Sequence, residues 1–283
     1  MAAGESGFEA GPAAIAVAPN GGRRTRADHP ALPQTADELA ETAAACLEAG
    51  AAMLHCHVRD RDGRHILDAD AYREAIAAMR RQVGERLVVQ ITTEAVGRHQ
   101  PEEQMAVVQA VRPEAASLAL RELVPDAAHE AAFGRFLAFM KKERIVPQII
   151  LYHPDEALRL KDMMARGIVP FDDVPVLYVL GRYAAGQRSA PADLLPFLAP
   201  AAPRFGHFMV CAFGAREAAC VTTAAALGGH ARVGFENNLY LPGGTLAPDN
   251  AALVRGVTDA LAALGMRAAD AERLRADWTL SAN

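Results

Sequence analysis

Two histidines one residue apart, His55 and His57, stand in the run Ala51-Ala-Met-Leu-His-Cys-His-Val-Arg-Asp60. The run is apolar enough to form a buried strand, and in a strand residues two apart share a face. Both imidazoles then project the same way near the strand's end, where they can grip one metal ion. Two neutral imidazoles suit zinc, with iron, nickel and copper as alternatives. The competing reading is a pair of histidines packed and hydrogen-bonded in a core, and the elements that position them must decide between the two. Cys56 alternates with the pair and belongs on the opposite, core-facing side.

Strand and helix signals alternate along the whole chain. Apolar runs at 13–18, 51–58, 86–93, 115–120, 145–152, 174–180, 206–213 and 230–236 read as strands. Alanine-rich segments with apolar residues at helical spacing lie near 36–49, 68–83, 101–111, 126–143, 155–166, 190–199, 215–227 and 248–264. Thr35 with Glu38 fits a capping box, and Pro101 and Pro248 suit first-turn positions. Gly50, Gly84, Gly167, Gly228 and Gly265 follow helical runs, where a left-handed cap favours glycine. Pro147 predicts that the fifth strand begins later or carries an irregularity. Eight strand–helix repeats in 283 residues, with no linker between them, predict one closed (β/α)8 TIM barrel over 1–283 behind a short flexible N-terminus of about eleven residues. An open doubly wound sheet is the runner-up, but no glycine-rich fingerprint follows the first strand.

Composition narrows the function classes. Asp and Glu outnumber Lys and Arg by 34 to 29, and a net charge of -5 argues against nucleic acid or an anionic membrane as partner. No apolar run approaches the ~18–20 residues of a membrane span. The first residues show no basic segment followed by an apolar one, so no secretory signal is expected. Cysteines 46, 56, 211 and 220 form no C-x-x-C pair and read as reduced thiols of a cytoplasmic protein.

In such a barrel, chemistry gathers at the C-terminal ends of the strands. Asn20 and Gly21–Gly22 follow strand one, and the two histidines end strand two. Thr92, Thr93 and Glu94 end strand three, and Ser117 lies in strand four with Arg121 and Glu122 beyond. Tyr152 and His153 end strand five, Arg182 and Tyr183 follow strand six, and Glu236 with Asn237 ends strand eight. Strand eight closes against strand one, so an inward carboxylate at Glu236 could complete a His2Glu site with an open position, the arrangement catalytic zinc requires. The alternative for Glu236 is an ion pair with Arg232; for Thr92 and Thr93 it is ordinary strand packing.

Laid side by side, these pieces resemble the β-keto acid cleavage enzymes. The matching segments are Ala18-Pro-Asn-Gly-Gly22, Thr25-Arg-Ala-Asp-His-Pro-Ala-Leu-Pro33 and Glu48-Ala-Gly-Ala-Ala-Met-Leu-His-Cys-His-Val-Arg59. Asp62-Gly-Arg64, Gln90-Ile-Thr-Thr93, Gly228-Gly-His-Ala-Arg-Val-Gly-Phe-Glu236 and Gly244-Thr-Leu-Ala-Pro-Asp-Asn250 complete the set. The resemblance covers roughly residues 13–255, in family order. It implies a (β/α)8 barrel with zinc on His55, His57 and Glu236, and a reaction of a β-keto acid with acetyl-CoA that gives acetoacetate and a new acyl-CoA. It further implies a homotetramer, and an arginine at Arg232 beside the metal carboxylate to steady oxyanions.

Departures from the family pattern cluster around the expected metal. The aspartate usual after the zinc glutamate, associated with proton transfer, is Asn237 here, and asparagine is no general base near neutral pH. The usual Thr-Gly-Gly after strand three reads Thr93-Glu94-Ala95, an asparagine usual after strand four is Ala119, and strand five offers Gln148, Ile150 and His153 where acids are common. Thr92, Glu94, Arg232 and Asn237 are therefore the expected catalytic group, and Asn20, Arg23, Thr93 and Ser117 the expected substrate contacts. Arg23 stands where the amino-acid-cleaving member has a glutamate, so it favours a second carboxylate or a phosphate on the substrate. Arg23, Arg24 and Arg26 can alternatively form a solvated basic loop or meet coenzyme A phosphates, and Gly214-Ala-Arg216 is a further anion site or an ordinary helix start.

Three functions remain open from the residues. The first is zinc-dependent β-keto acid cleavage with altered, anionic substrate preference. The second is an aldolase-like, decarboxylating or hydrolytic enzyme without acetyl-CoA, its base supplied by Glu94 or His153. The third is a non-catalytic barrel that binds a small acid. The stretch after 265, including Trp278, lies outside the strong match and could pack across a neighbouring subunit.

Overall fold

Strands buried on both faces close into a barrel. The computed structural model describes residues 11–278; the first ten residues, where the flexible N-terminus was expected, lie outside the described part. The early strands are β1 (Ala13–Val17), β2 (Met53–Cys56), the short hairpin β3 (Val58–Arg59) with β4 (His65–Ile66), β5 (Val88–Thr92) and β6 (Ala115–Ala119). Then follow β7 (Val146–Leu151), β8 (Val176–Leu180), β9 (Phe208–Ala212), β10 (His230–Val233) and the two-residue β11 (Ala268–Ala269). The barrel order is β1-β2-β5-β6-β7-β8-β9-β10, all parallel, and β10 closes on β1 through Ile15↔Ala231 and Val17↔Val233.

The helices that return the chain between strands are α1 (Ala36–Glu48), α2 (Ala69–Val83), α3 (Pro101–Val111), α4 (Leu120–Leu123) and α5 (Glu130–Glu143). The second half uses α6 (Pro154–Ala165), α7 (Leu195–Leu198), α8 (Glu217–Ala226), α9 (Asn250–Ala263) and α10 (Ala271–Asp277). Thr35 and Glu38 form the expected capping box, and the five glycines beyond the helices all take positive φ, from 59° to 106°. Two helix expectations change. Pro248 precedes the Asp249 cap instead of opening α9, and the helix expected over 190–199 is a 3-10 turn followed by the single turn of α7.

Pro147 also departs from expectation: β7 runs from Val146 through the proline without a break. Val146 donates to Glu114 on the β6 side, so the position of Pro147 faces β8, which begins only opposite Ile149. The missing N–H therefore removes no ladder bond.

Outward residues such as Ile15, Leu54, Cys56, Ile91 and Leu118 pack against the helices. Inward residues Ala14, Met53, Val88, Leu177 and Met209 fill the barrel floor. Leu274 and Trp278 of the C-terminal segment close that floor from below, Trp278 being 3% exposed. The expectation that Trp278 packs across a neighbouring subunit is thus corrected; an apolar floor within the same chain covers it. Arg275 of α10 reaches Glu114 at 2.5 Å and fastens the plug.

The floor carries a testable pH dependence. His230 accepts the Ala14 N–H at Nδ1 (3.1 Å), and burial pushes its pKa from 6.5 down to about 4. Between those values the unfolded chain holds a proton that the folded chain does not. Stability is therefore complete above about pH 6.5 and falls as pH drops toward 4. Burial acts in the same direction on His55 and His65, pushing them down to about 3 and about 2. Urea unfolding of the metal-free protein is expected to show a lower midpoint at about pH 5 than at about pH 7.5, with a smaller difference in His230→Gln. Equal midpoints would refute the assignment.

Candidate active site

Met53, His55 and His57 share the inward face of β2 and its continuation, which carries both imidazoles to the open end of the barrel. The peptide of His57 is pinned by Asn20, whose side chain donates to the His57 carbonyl (2.9 Å) and accepts its N–H (3.3 Å). Opposite Gln90 in the β2–β5 register, His55 places Nδ1 2.8 Å from the Gln90 oxygen. Gln90 gives its amide N–H to Gln148 (3.0 Å), so its oxygen can only accept, and His55 must carry its proton on Nδ1. Nε2 of His55 is then a bare lone pair facing the cleft.

Glu236 arrives from beyond β10 on a backbone that allows no Cβ at two points. A Cβ at Gly234 (φ 136°) would stand 2.3 Å from the Ala18 carbonyl, and one at Gly21 (φ 63°) would stand 2.7 Å from Cγ of Glu236. The carboxylate meets the histidines with Oε2, 3.3 Å from His57 Nε2 and 3.6 Å from His55 Nε2, and the two Nε2 atoms are 3.2 Å apart. These ligand atoms all lie within 4.8 Å of one another. Oε1 of the same carboxylate accepts from Arg232 at 2.9 Å. The ion-pair reading of Glu236 and the ligand reading are therefore compatible, because each uses a different oxygen. Burial opposes the charge on Glu236, yet Arg232 and the two histidines hold its carboxyl well below the usual carboxylate range.

A divalent cation suits this donor set. Oε2 of Glu236 is buried without a hydrogen-bond partner, and two imidazole nitrogens converge on it with burial keeping His55 neutral. Two borderline nitrogens and one carboxylate oxygen are the ligands of a catalytic zinc site with a free position. Arg232 is 2% exposed, and its Nε and Nη1 groups are buried without partners beside this point, ready for an anionic oxygen.

A model of the β-keto acid cleavage enzyme family matches residues 12–280. The chain belongs to that family. It is 30% identical over 277 residues to the 3-keto-5-aminohexanoate cleavage enzyme of Fusobacterium nucleatum, covering 92% of this chain and 95% of that protein. It is 29% identical to the 3-oxoadipate:acetyl-CoA acetyltransferase of Cupriavidus necator, covering 87% of each. The solved structure of ObcA in ternary complex with a C4-CoA adduct and oxalate shares the fold, with a TM-score of 0.67 at 19% identity over 89% of this chain and 68% of that one.

Two adjoining clefts open above the expected metal position of this family member. The inner one is walled by His55, His57, Thr92, Tyr152, Arg232 and Glu236 among others and has room for about 20 Å³. The outer one, about 80 Å³, is lined by Asn20, Arg23, Arg24, Arg182, Gln187 and their neighbours. Glu94, Arg182, Phe213 and Glu236 line both.

Other expected residues sit elsewhere. Thr93 gives its hydroxyl to the Ser117 carbonyl (2.9 Å), and the Ser117 hydroxyl is buried inside the barrel without a partner; neither lines a cleft. Asn237 is fully buried, both its amide atoms lack partners, and its side chain reaches neither wall. His153 caps α6 and stands in solvent, so it has no path to the metal position. Arg26 pairs with Glu38 at the start of α1, away from the clefts. The Gly214 N–H donates to the Asn237 carbonyl (3.2 Å), so the turn before α8 is an ordinary helix start at that group.

Sequence reasoning gave no role to Gln90 or His65. His65, on the β3–β4 hairpin, packs its ring 4.9 Å from that of His57 and holds the Glu94 carbonyl at 3.1 Å. The signal for Gln90 was its polarity inside an apolar strand, at the position that the β2–β5 register sets opposite His55. No comparable signal marked His65, whose hairpin is only two residues on each side.

Proposed function

We propose that this protein cleaves a β-keto acid with acetyl-CoA, releasing acetoacetate and a new acyl-CoA, and that it prefers a substrate with a second anionic group. The observation that carries the reading is the convergence of His55, His57 and Glu236 within 4.8 Å beside the buried Arg232. Family membership and relatives named for cleavage of a keto acid and for acetyl-CoA transfer support it. The three ligands would hold a divalent metal, with zinc the best match to the donors. When bound, the ion supplies Lewis acidity toward the keto acid's oxygens.

The chain's own residues account for the rest of the chemistry. Gln90 fixes the His55 tautomer, and Arg232 offers N–H groups to the oxyanion that forms when a proton leaves the carbon between ketone and carboxylate. Among the described residues Glu94 is the one acid besides Glu236 on the cleft walls, which places it to accept that proton. The carbanion equivalent attacks the acetyl thioester and expels the coenzyme A thiolate, which adds to the ketone carbon; breaking the carbon–carbon bond then leaves the new acyl-CoA and an acetoacetate carbanion that takes back the proton held by Glu94. Arg23, Arg24 and Arg182 give the outer cleft its positive wall for a distal carboxylate or phosphate.

Metal analysis followed by incubation with acetyl-CoA and anionic, neutral and cationic β-keto acids tests the reading. Acetoacetate release is expected to require both metal and acetyl-CoA and to be fastest with an anionic substrate. Turnover of a keto acid without acetyl-CoA would replace cleavage by aldolase-like or decarboxylating chemistry. Binding without turnover across the panel would leave a small-acid-binding barrel.

A further inference from the structure

Glu94 occupies the junction of the two clefts on a rigid base. Its N–H donates to Thr92 Oγ1 (3.0 Å), its carbonyl is held by His65, and the next N–H, of Ala95, donates to the half-buried Glu122 carboxylate (2.9 Å). The side chain is held differently. Oε1 lies 3.8 Å from both Arg23 Nε and Arg182 Nη2, and Oε2 lies 3.8 Å from His57 Nδ1. All three separations exceed hydrogen-bond range, so the carboxylate balances the two guanidiniums without being locked to either of them or to His57.

Space leads to the same point. Clefts of about 80 and 20 Å³ are small beside the ~300–1,000 Å³ of typical ligand pockets. A substrate spanning from Arg23 to the metal position needs a side chain to move. Glu94 lines both clefts, has a fixed backbone and lacks a close partner. Gly22 leaves it room, since a Cβ there would stand 2.7 Å from Glu94 Oε2.

We propose that Glu94 is an internal counter-ion standing in for the substrate's distal anionic group, which displaces it from Arg23 and Arg182 and joins the two clefts. The inference rests on the reading of the outer cleft as an anion site and adds the residue that gates it. Two guanidiniums gathered around one point repel, and the carboxylate between them offsets that repulsion. An incoming carboxylate can bind the same guanidiniums with short, paired hydrogen bonds that Glu94 does not reach. The cost is competition: Glu94 lowers the affinity for every anion, and most for those that reach both arginines.

Calorimetric titration of the metal-loaded protein with glutarate, and with glutaramate in which an amide replaces one carboxylate, tests this without turnover. Glu94→Gln is expected to bind glutarate about tenfold or more tightly than the natural protein, with a smaller gain for glutaramate. Arg182→Gln and Arg23→Gln are expected to weaken glutarate by about tenfold or more. Glu94→Ala serves as a second removal of the charge, and metal content is measured for each variant. Weaker or unchanged glutarate binding in Glu94→Gln and Glu94→Ala would mean that Glu94 props the arginines in place, and would overturn the proposal. An equal gain for both ligands would reduce the effect to general charge and overturn it too. Absence of acetoacetate in the turnover assay would defeat the cleavage reading while leaving these titrations standing.

Discussion

His57→Ala is expected to lose metal binding and all turnover together. His57 is one of the three residues proposed to hold the metal, and its Nε2 lies 3.3 Å from the Glu236 oxygen. Removing it leaves His55 and Glu236, two donors where a tightly held catalytic zinc needs three. Equilibrium dialysis against zinc measures the loss. It should exceed the ~10–100-fold cost of changing a residue that only orients a ligand, and Gln90→Leu provides that comparison within the same protein. Full occupancy in His57→Ala would refute the ligand set, whatever happened to activity.

Arg232→Met should have the second-largest effect, in two readouts. In the proposed reaction the guanidinium meets the oxygen on which negative charge develops, and removing one such donor costs about 10²–10³ in kcat. Structurally, Arg232 is 2% exposed and holds Glu236 Oε1 at 2.9 Å, so its loss leaves a carboxylate without its cation. Breaking a buried pair from one side costs about 3–5 kcal/mol. In the metal-free protein that loss should be fully visible in denaturant unfolding. A bound divalent cation offsets the same carboxylate, so the destabilisation should shrink when metal is added. A variant destabilised equally with and without metal would show that Glu236 does not face the ion.

These two predictions concern residues that were legible in the chain, for identifiable reasons. His55 and His57 are spaced by the period of a strand, and any extended backbone puts them on one side. Glu236 followed from barrel closure, because strand order alone brings the end of β10 beside β1. Arg232 lies four residues before Glu236, but its ion pair depends on the turn that Gly234 permits across Ala18. The position of Asn237 was legible and its surroundings were not. One residue beyond a ligand, the chain has turned, and the side chain is buried away from the clefts.

Glu94 shows the opposite case. Its sequence position, in place of a usual glycine, marked added bulk and charge, but not what that charge would meet. Arg23 and Arg182 lie 71 and 88 residues away along the chain and reach Glu94 only because the barrel brings three strand ends to one rim.

Periodicity and punctuation were sufficient for the eight strands, most of the helices and the barrel, because those depend on local geometry repeated around a closed ring. The proline in β7, the plug built on Trp278, the Gln90 tautomer lock and the division of the cleft by Glu94 were decided by tertiary structure. Each depends on which side of a strand a neighbour occupies or on how far a side chain reaches across the barrel. No spacing along the chain encodes those distances.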